Sequence, residues 1–214
     1  MLKSNSRLFV LLGMLLALAL VLSLALGPVS IALQNIANVL WRSLGFTVVS
    51  TPALEQAQLI ISQVRLPRAL LGLSVGAVLA LSGVAMQGLF RNPLADPGLI
   101  GVSSGAALGA AVAIVGGALL GGIDEAWSPY ILSLCAFAGG LVITALVYRL
   151  GRRDGQTHVA TMLLAGIALA ALAGAAIGLF TYLADDATLR TLTFWNLGSL
   201  NGASYARLWP LLLI

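Results

Sequence analysis

Few of the 214 side chains can carry out acid–base, nucleophilic or metal chemistry. His158 is the only histidine and Cys135 the only cysteine. A lone histidine in "RLGRRDGQTH", with no cysteine beside it, is a solvated loop residue, because a zinc site draws on three or four N, S or O donors. Cys135 lies inside an apolar run, cannot form an internal disulfide and reads as a small packing residue. Lys3 is the only lysine, so a G-x-x-x-x-G-K-[ST] phosphate loop is impossible. Neither HExxH nor a Ser/His/Asp set is present. We expect no catalytic residue, no cofactor and no metal site, and any nucleotide hydrolysis that powers this protein must occur on another chain.

Three other groups stand out by type and spacing. Arg65 and Arg68 form a pair in "QVRLPR". In "RNPLADPGLIGVSSGAALG", residues 91–109, Asn92-Pro93 and Asp96-Pro97 each set a capping residue before a proline. Asp or Asn at the N-cap with Pro in the first helical position starts a helix, and Asp96 would stabilise the exposed amides of the helix that follows. The third group is glycine at every fourth position: Gly72/Gly76, Gly101/Gly105/Gly109, Gly117/Gly121 and Gly174/Gly178. In lipid such repeats let helix backbones approach closely.

Positioning these residues falls to apolar helices. The chain is 60% hydrophobic and 8% charged, against about 25% charged for soluble domains. Uncharged runs predict five full spans, Leu8–Leu26, Ala69–Phe90, Gly98–Ile123, Pro129–Tyr148 and Val159–Ala184, and the start of a sixth at Leu208. The fold class is all-α: a polytopic transmembrane helical bundle forming one domain over residues 1–214. The first run has 19 uncharged residues, longer than the ~7–15 of a signal-peptide core, and reads as a retained helix. No complete span holds a charged residue, which counts against a proton- or ion-coupled carrier.

Basic residues set the orientation. With the N-terminus cytoplasmic, the inner segments 1–7, 91–97 and 149–158 hold six Lys or Arg in 24 positions, and the outer segments 27–68, 124–128 and 185–207 hold five in 70. The net charge of +4 therefore reports topology, not affinity for nucleic acid. In the first outer segment, Gln34, Asn38 and Arg42 fall opposite Leu33, Ile36, Leu40 and Leu44. That pattern predicts an external amphipathic helix on the membrane face with Ser30 as N-cap. Residues 46–58 read as a loop, and Trp195, Tyr205 and Trp209 read as boundary aromatics.

Residues 65–109, "RLPRALLGLSVGAVLALSGVAMQGLFRNPLADPGLIGVSSGAALG", closely resemble the permeases of FecCD-type binding-protein-dependent ABC importers for iron-siderophores, haem and cobalamin. "MLLAGIAL" (162–169) and "FWNLGSLNG" (194–202) match later segments of that family. The resemblance implies a cytoplasmic-membrane permease that pairs with a second permease subunit, identical or not. ABC ATPase subunits would sit below it, and a periplasmic or lipoprotein substrate-binding protein would dock outside, with lipid as the remaining partner. It gives Arg65 and Arg68 the role of meeting acidic residues of the binding protein; the alternative is a pair of snorkelling anchors at a helix start. It places Trp195, Gly198 and Ser199 at the pathway entrance and Val159, Ala160 and Thr161 at an apolar cytoplasmic gate. The cargo it implies is a metal chelate, foremost a ferric siderophore. Family members have about ten helices, and this sequence ends seven residues into the sixth, so it is expected not to couple to ATP hydrolysis. An ion-coupled secondary transporter and a non-transporting permease fragment are the alternatives.

Overall fold

The computed structural model describes residues 2–120, 122, 127–153, 155–205 and 208. Eight α-helices are present among them: α1 (Leu2–Ala25), α2 (Leu33–Ser43), α3 (Pro52–Ile60), α4 (Leu66–Phe90), α5 (Val102–Leu119), α6 (Ser128–Gly151), α7 (Val159–Leu183) and α8 (Asp186–Leu197). A π turn, Ile61–Arg65, joins α3 to α4, and a 3-10 turn, Pro97–Ile100, precedes α5. The only strands described are β1 (Arg152–Arg153) and β2 (Gln156–Thr157), an antiparallel pair that reverses the chain between α6 and α7. Five stretches are long and apolar enough to cross a bilayer: Ser6–Ala25, Pro52–Phe90, Val102–Leu119, Tyr130–Gly151 and Val159–Leu183. The expected all-α membrane bundle is the fold. Apart from Leu208, the expected sixth span lies outside the described residues, as do Gly121 and Trp209.

Two compact units divide the chain, Met1–Val78 with Leu200–Ile214, and Leu79–Ser199. The first gathers Leu24, Ile31, Ile36, Val39, Leu54, Ala57 and Ile61 into one core. The second buries Met86, Phe90, Ala95, Ile100, Ile143, Val147 and Met162, with α5 packed along α6 and α7.

Three local expectations are corrected. Residues 46–58 are not all loop: Thr51 accepts a hydrogen bond from Leu54 N at 3.2 Å and Pro52 takes the first helical position, so α3 begins there. The helix then runs on through the π turn, giving a continuous stretch of 39 residues, Pro52–Phe90. Replacing Thr51 by alanine removes the cap, and we expect a loss of about 1 kcal/mol, read as faster amide exchange across Leu54–Ala57. Ser30 is not the cap of α2, which starts at Leu33 after Ala32 with no side-chain bond. Its buried residues are Ile36 and Val39, while Leu33, Leu40 and Leu44 stay exposed. Asp96-Pro97 starts the short 3-10 turn and not α5, because Gly101 at φ +78° interrupts the helix before Val102.

Candidate functional site

Arg65 and Arg68 close the π turn and open α4, in the first unit. Arg68 is exposed, and its Nη2 donates to Asn201 Oδ1 at 2.9 Å. Asn201 lies in the "FWNLGSLNG" segment, so two of the motifs singled out in the sequence meet here. Arg65 departs from the docking expectation: only 7% of it is exposed. Its Nη1 donates to Leu24 O at 2.5 Å and Ala25 O at 2.8 Å, and its Nη2 donates to Val29 O. Three of its five N–H donors are engaged by the end of α1 and the loop after it, so in this chain the guanidinium is buried and not presented at the surface. It is not a snorkelling anchor either, since a snorkelling head group stays in water.

Apart from Gly72 and Gly76, which also lie in the first unit, the remaining candidate site residues belong to the second unit. The turn after α4 begins with Arg91 at φ +48°, and Asn92 N donates to Gln87 O at 3.2 Å, a helix ending of the kind usually closed by glycine. Asn92 Oδ1 accepts from Leu94 N at 2.9 Å and Asp96 Oδ1 from Gly98 N at 2.7 Å. Both side chains thus serve the turn's own backbone. Pro93 is exposed and Pro97 half-buried; Ala95, between them, is core.

The glycines divide sharply. A Cβ on Gly105 would lie 2.5 Å from Gly139 O, and one on Gly109 would collide with Cys135 O, so α5 and α6 touch backbone to backbone. A Cβ on Gly101 would lie 2.7 Å from Ile143 Cγ2. Gly72 has only Leu200 Cδ1, at 3.5 Å, while Gly76, Gly174 and Gly178 meet nothing within 4 Å. The repeats in α4 and α7 therefore seat no helix backbone within the described chain. Gly139, Gly151 and Gly166 were missed: Gly166 seats α7 against Leu99 O of the 3-10 turn, and Gly151 lies against Met162. Gly139 and Gly166 fall in no four-residue glycine repeat, and Gly151 is spaced four residues from Gly155 only across a polar turn, outside the apolar runs.

At the start of α7, Val159 packs on the second core, and Ala160 and Thr161 are exposed. His158 is exposed, and no group of three or more His, Cys, Asp or Glu that could hold a metal occurs among the described residues. α8 is capped by Asp185, whose Oδ1 accepts from Thr188 N at 2.9 Å. Trp195 is half-buried near its end, Gly198 turns the chain at φ +73°, and Ser199 is exposed. Hydrogen bonds from the Thr188 hydroxyl and then its N–H hold the Asp185 carboxyl below its ordinary value. A lowered folded pKa means that the cap stabilises fully above the ordinary carboxylate range and is lost as pH falls through the lowered value. Protection of the Thr188–Arg190 amides, their exchange relative to an unstructured chain at the same pH, should fall on strong acidification, and in Asp185→Ala it should already be low at neutral pH and change little with acid.

Five apolar spans, backbone-contact glycines and a capped short helix after the fifth span define a multi-pass helical membrane protein. The chain belongs to the FecCD transport family, whose model matches residues 15–214. It is 48% identical over 145 residues to the hemin transport system permease protein HmuU of Yersinia pestis, covering 68% of this chain and 42% of that one. It is 40% identical over 211 residues to the vitamin B12 import system permease protein BtuC of Escherichia coli, covering 98% and 57%. A metal-chelate-type ABC transporter solved in an inward-facing conformation superposes with a TM-score of 0.73 at 32% identity, over 97% of this chain and 59% of that one. The chain spans about half the length of the curated relatives it matches.

Proposed function

We propose that this chain is the membrane-spanning permease subunit of a binding-protein-dependent ABC importer, moving a metal chelate across the cytoplasmic membrane with its N-terminus in the cytoplasm. The observation that carries the proposal is the family match over residues 15–214, joined to the placing of the RLPR and NPLADP motifs at opposite ends of α4. Ferric siderophore is the cargo class we propose. The names of the hemin and vitamin B12 relatives support the broader class of chelates.

In this proposal a second permease subunit completes the pathway, separate ATPase subunits drive it, and a soluble binding protein docks against Arg68. Delivery then depends on electrostatic register, since opposite potentials steer encounter and fix orientation. Trp195, Gly198 and Ser199 border the outer end of the pathway. Val159, Ala160 and Thr161 border its inner end, where an apolar constriction can close by dewetting. Substrate contacts are diffuse, because the uncharged runs Ala69–Phe90, Pro129–Tyr148 and Val159–Ala184 offer hydroxyls, small residues and glycine backbone rather than charged ligands. Uptake of radiolabelled ferric siderophore, hemin and cobalamin into proteoliposomes tests this, with these residues carried in a permease of the relatives' full length and with ATPase and binding protein supplied. Chelate uptake that stops when the ATPase is omitted supports the proposal. Uptake that persists without it, or follows an ion gradient, overturns it.

A further inference from the structure

α1 is nearly unattached along its length. Of its described side chains only Leu24 is buried, so the helix is held to the rest of the first unit at its C-terminal end. There the last carbonyls of a helix lack intrahelical partners and carry the negative end of its dipole. The Arg65 guanidinium sits on them, bonded to Leu24 O, Ala25 O and Val29 O. No carboxylate is paired with Arg65 among the described residues. A cation taken out of water has to be matched by hydrogen bonds, and these three carbonyls do that.

Two further observations fit the same purpose. A Cβ on Gly27 would lie 2.8 Å from Arg65 Nη2 and 3.1 Å from its Cζ, so the loop leaving α1 is seated directly on the guanidinium. The π turn, closed by Leu66 N donating to Ile61 O, puts Arg65 in line with Leu54, Ala57 and Ile61, which share a core with Leu24. Single π turns inside α-helices are frequent at functional sites.

We propose that Arg65 is a positioning residue, a clasp that fastens the C-terminal end of α1 to the π turn and so fixes the segment from which Arg68 projects. The consequence for docking rests on the importer reading; the clasp itself does not. The full chain in nanodiscs is assayed by hydrogen exchange over residues 20–32 and, separately, by affinity for its binding protein at low and high salt. Gly27→Ala leaves every charge in place, and Arg65→Lys keeps the charge but cannot reach three carbonyls. Both, with Arg65→Gln, should raise exchange over 20–32 by about tenfold, the factor for losing roughly one charge-assisted hydrogen bond, with exchange in α5 and α6 unchanged as the check on folding. Wild-type exchange in Gly27→Ala and Arg65→Gln overturns the clasp. So does a loss of affinity in Arg65→Gln that Arg65→Lys restores in full, because that is the behaviour of a docking charge. If the unmutated chain binds no binding protein, the importer reading fails while the exchange result still decides the clasp.

Discussion

Gly109→Ala should destabilise the folded chain by about 2 kcal/mol or more, the cost of forcing atoms into a packed contact. Gly76→Ala should be neutral or stabilise by up to about 1 kcal/mol through helix propensity. The two substitutions are chemically identical and both lie within apolar helices; what differs is the space around the new methyl. At Gly109 it would overlap Cys135 O and lie 2.8 Å from Cys135 C and 3.3 Å from Ala136 Cα. These are backbone atoms of α6, with no rotamer to move into, so the helices must separate. At Gly76 nothing lies within 4 Å. Reversible unfolding in mixed micelles measures both. Gly139→Ala should behave like Gly109→Ala, since its Cβ would meet Gly105 O and lie 3.0 Å from Gly109 Cα. The double variant should cost less than the sum of the singles, because one separation of the helices accommodates both methyls. Equal effects at Gly76 and Gly109 would refute close α5–α6 contact.

That comparison also marks how far the sequence could be read. The bundle, its five spans and the contact role of Gly105 and Gly109 were legible, because length, apolarity and four-residue spacing are local properties of the chain. Which repeats are used was not legible: Gly76, Gly174 and Gly178 show the same spacing, and only the position of a neighbouring helix distinguishes them. Gly166 escaped notice for the complementary reason, as its partner Leu99 O belongs to a turn that no periodicity reveals. Thr51-Pro52 is a different failure. It is the same cap-and-proline signal that was recognised in Asp96-Pro97, yet the polar surroundings made it look like loop. At Asp96-Pro97 the cap was seen correctly, and the helix it caps proved to be one 3-10 turn, because Gly101 at φ +78° resets the chain. Arg65 and Arg68 show the limit most clearly: three residues apart in one motif, they end with opposite fates, one buried on carbonyls and one exposed.

From that difference follows the largest functional effect we expect. Arg68→Glu should weaken binding of the substrate-binding protein by at least about tenfold at low ionic strength, with the deficit shrinking as salt rises. Arg68→Gln should fall between the two. Arg68 is exposed and makes one hydrogen bond, to Asn201 Oδ1 at 2.9 Å, so reversing its charge leaves the core untouched and stability should move by no more than about 0.5 kcal/mol. A loss of binding is then attributable to charge. Asn201→Ala gives the complementary test, as it frees the guanidinium without changing its sign and should alter affinity far less than Arg68→Glu. Surface plasmon resonance with the binding protein immobilised, run across a salt series, separates these cases. The association rate should carry most of the Arg68 effect, because an exposed rim charge acts mainly by steering the encounter. Unchanged binding by Arg68→Glu would remove the electrostatic docking site from the proposed function, and an effect confined to dissociation would relocate Arg68 from the rim to a desolvated contact.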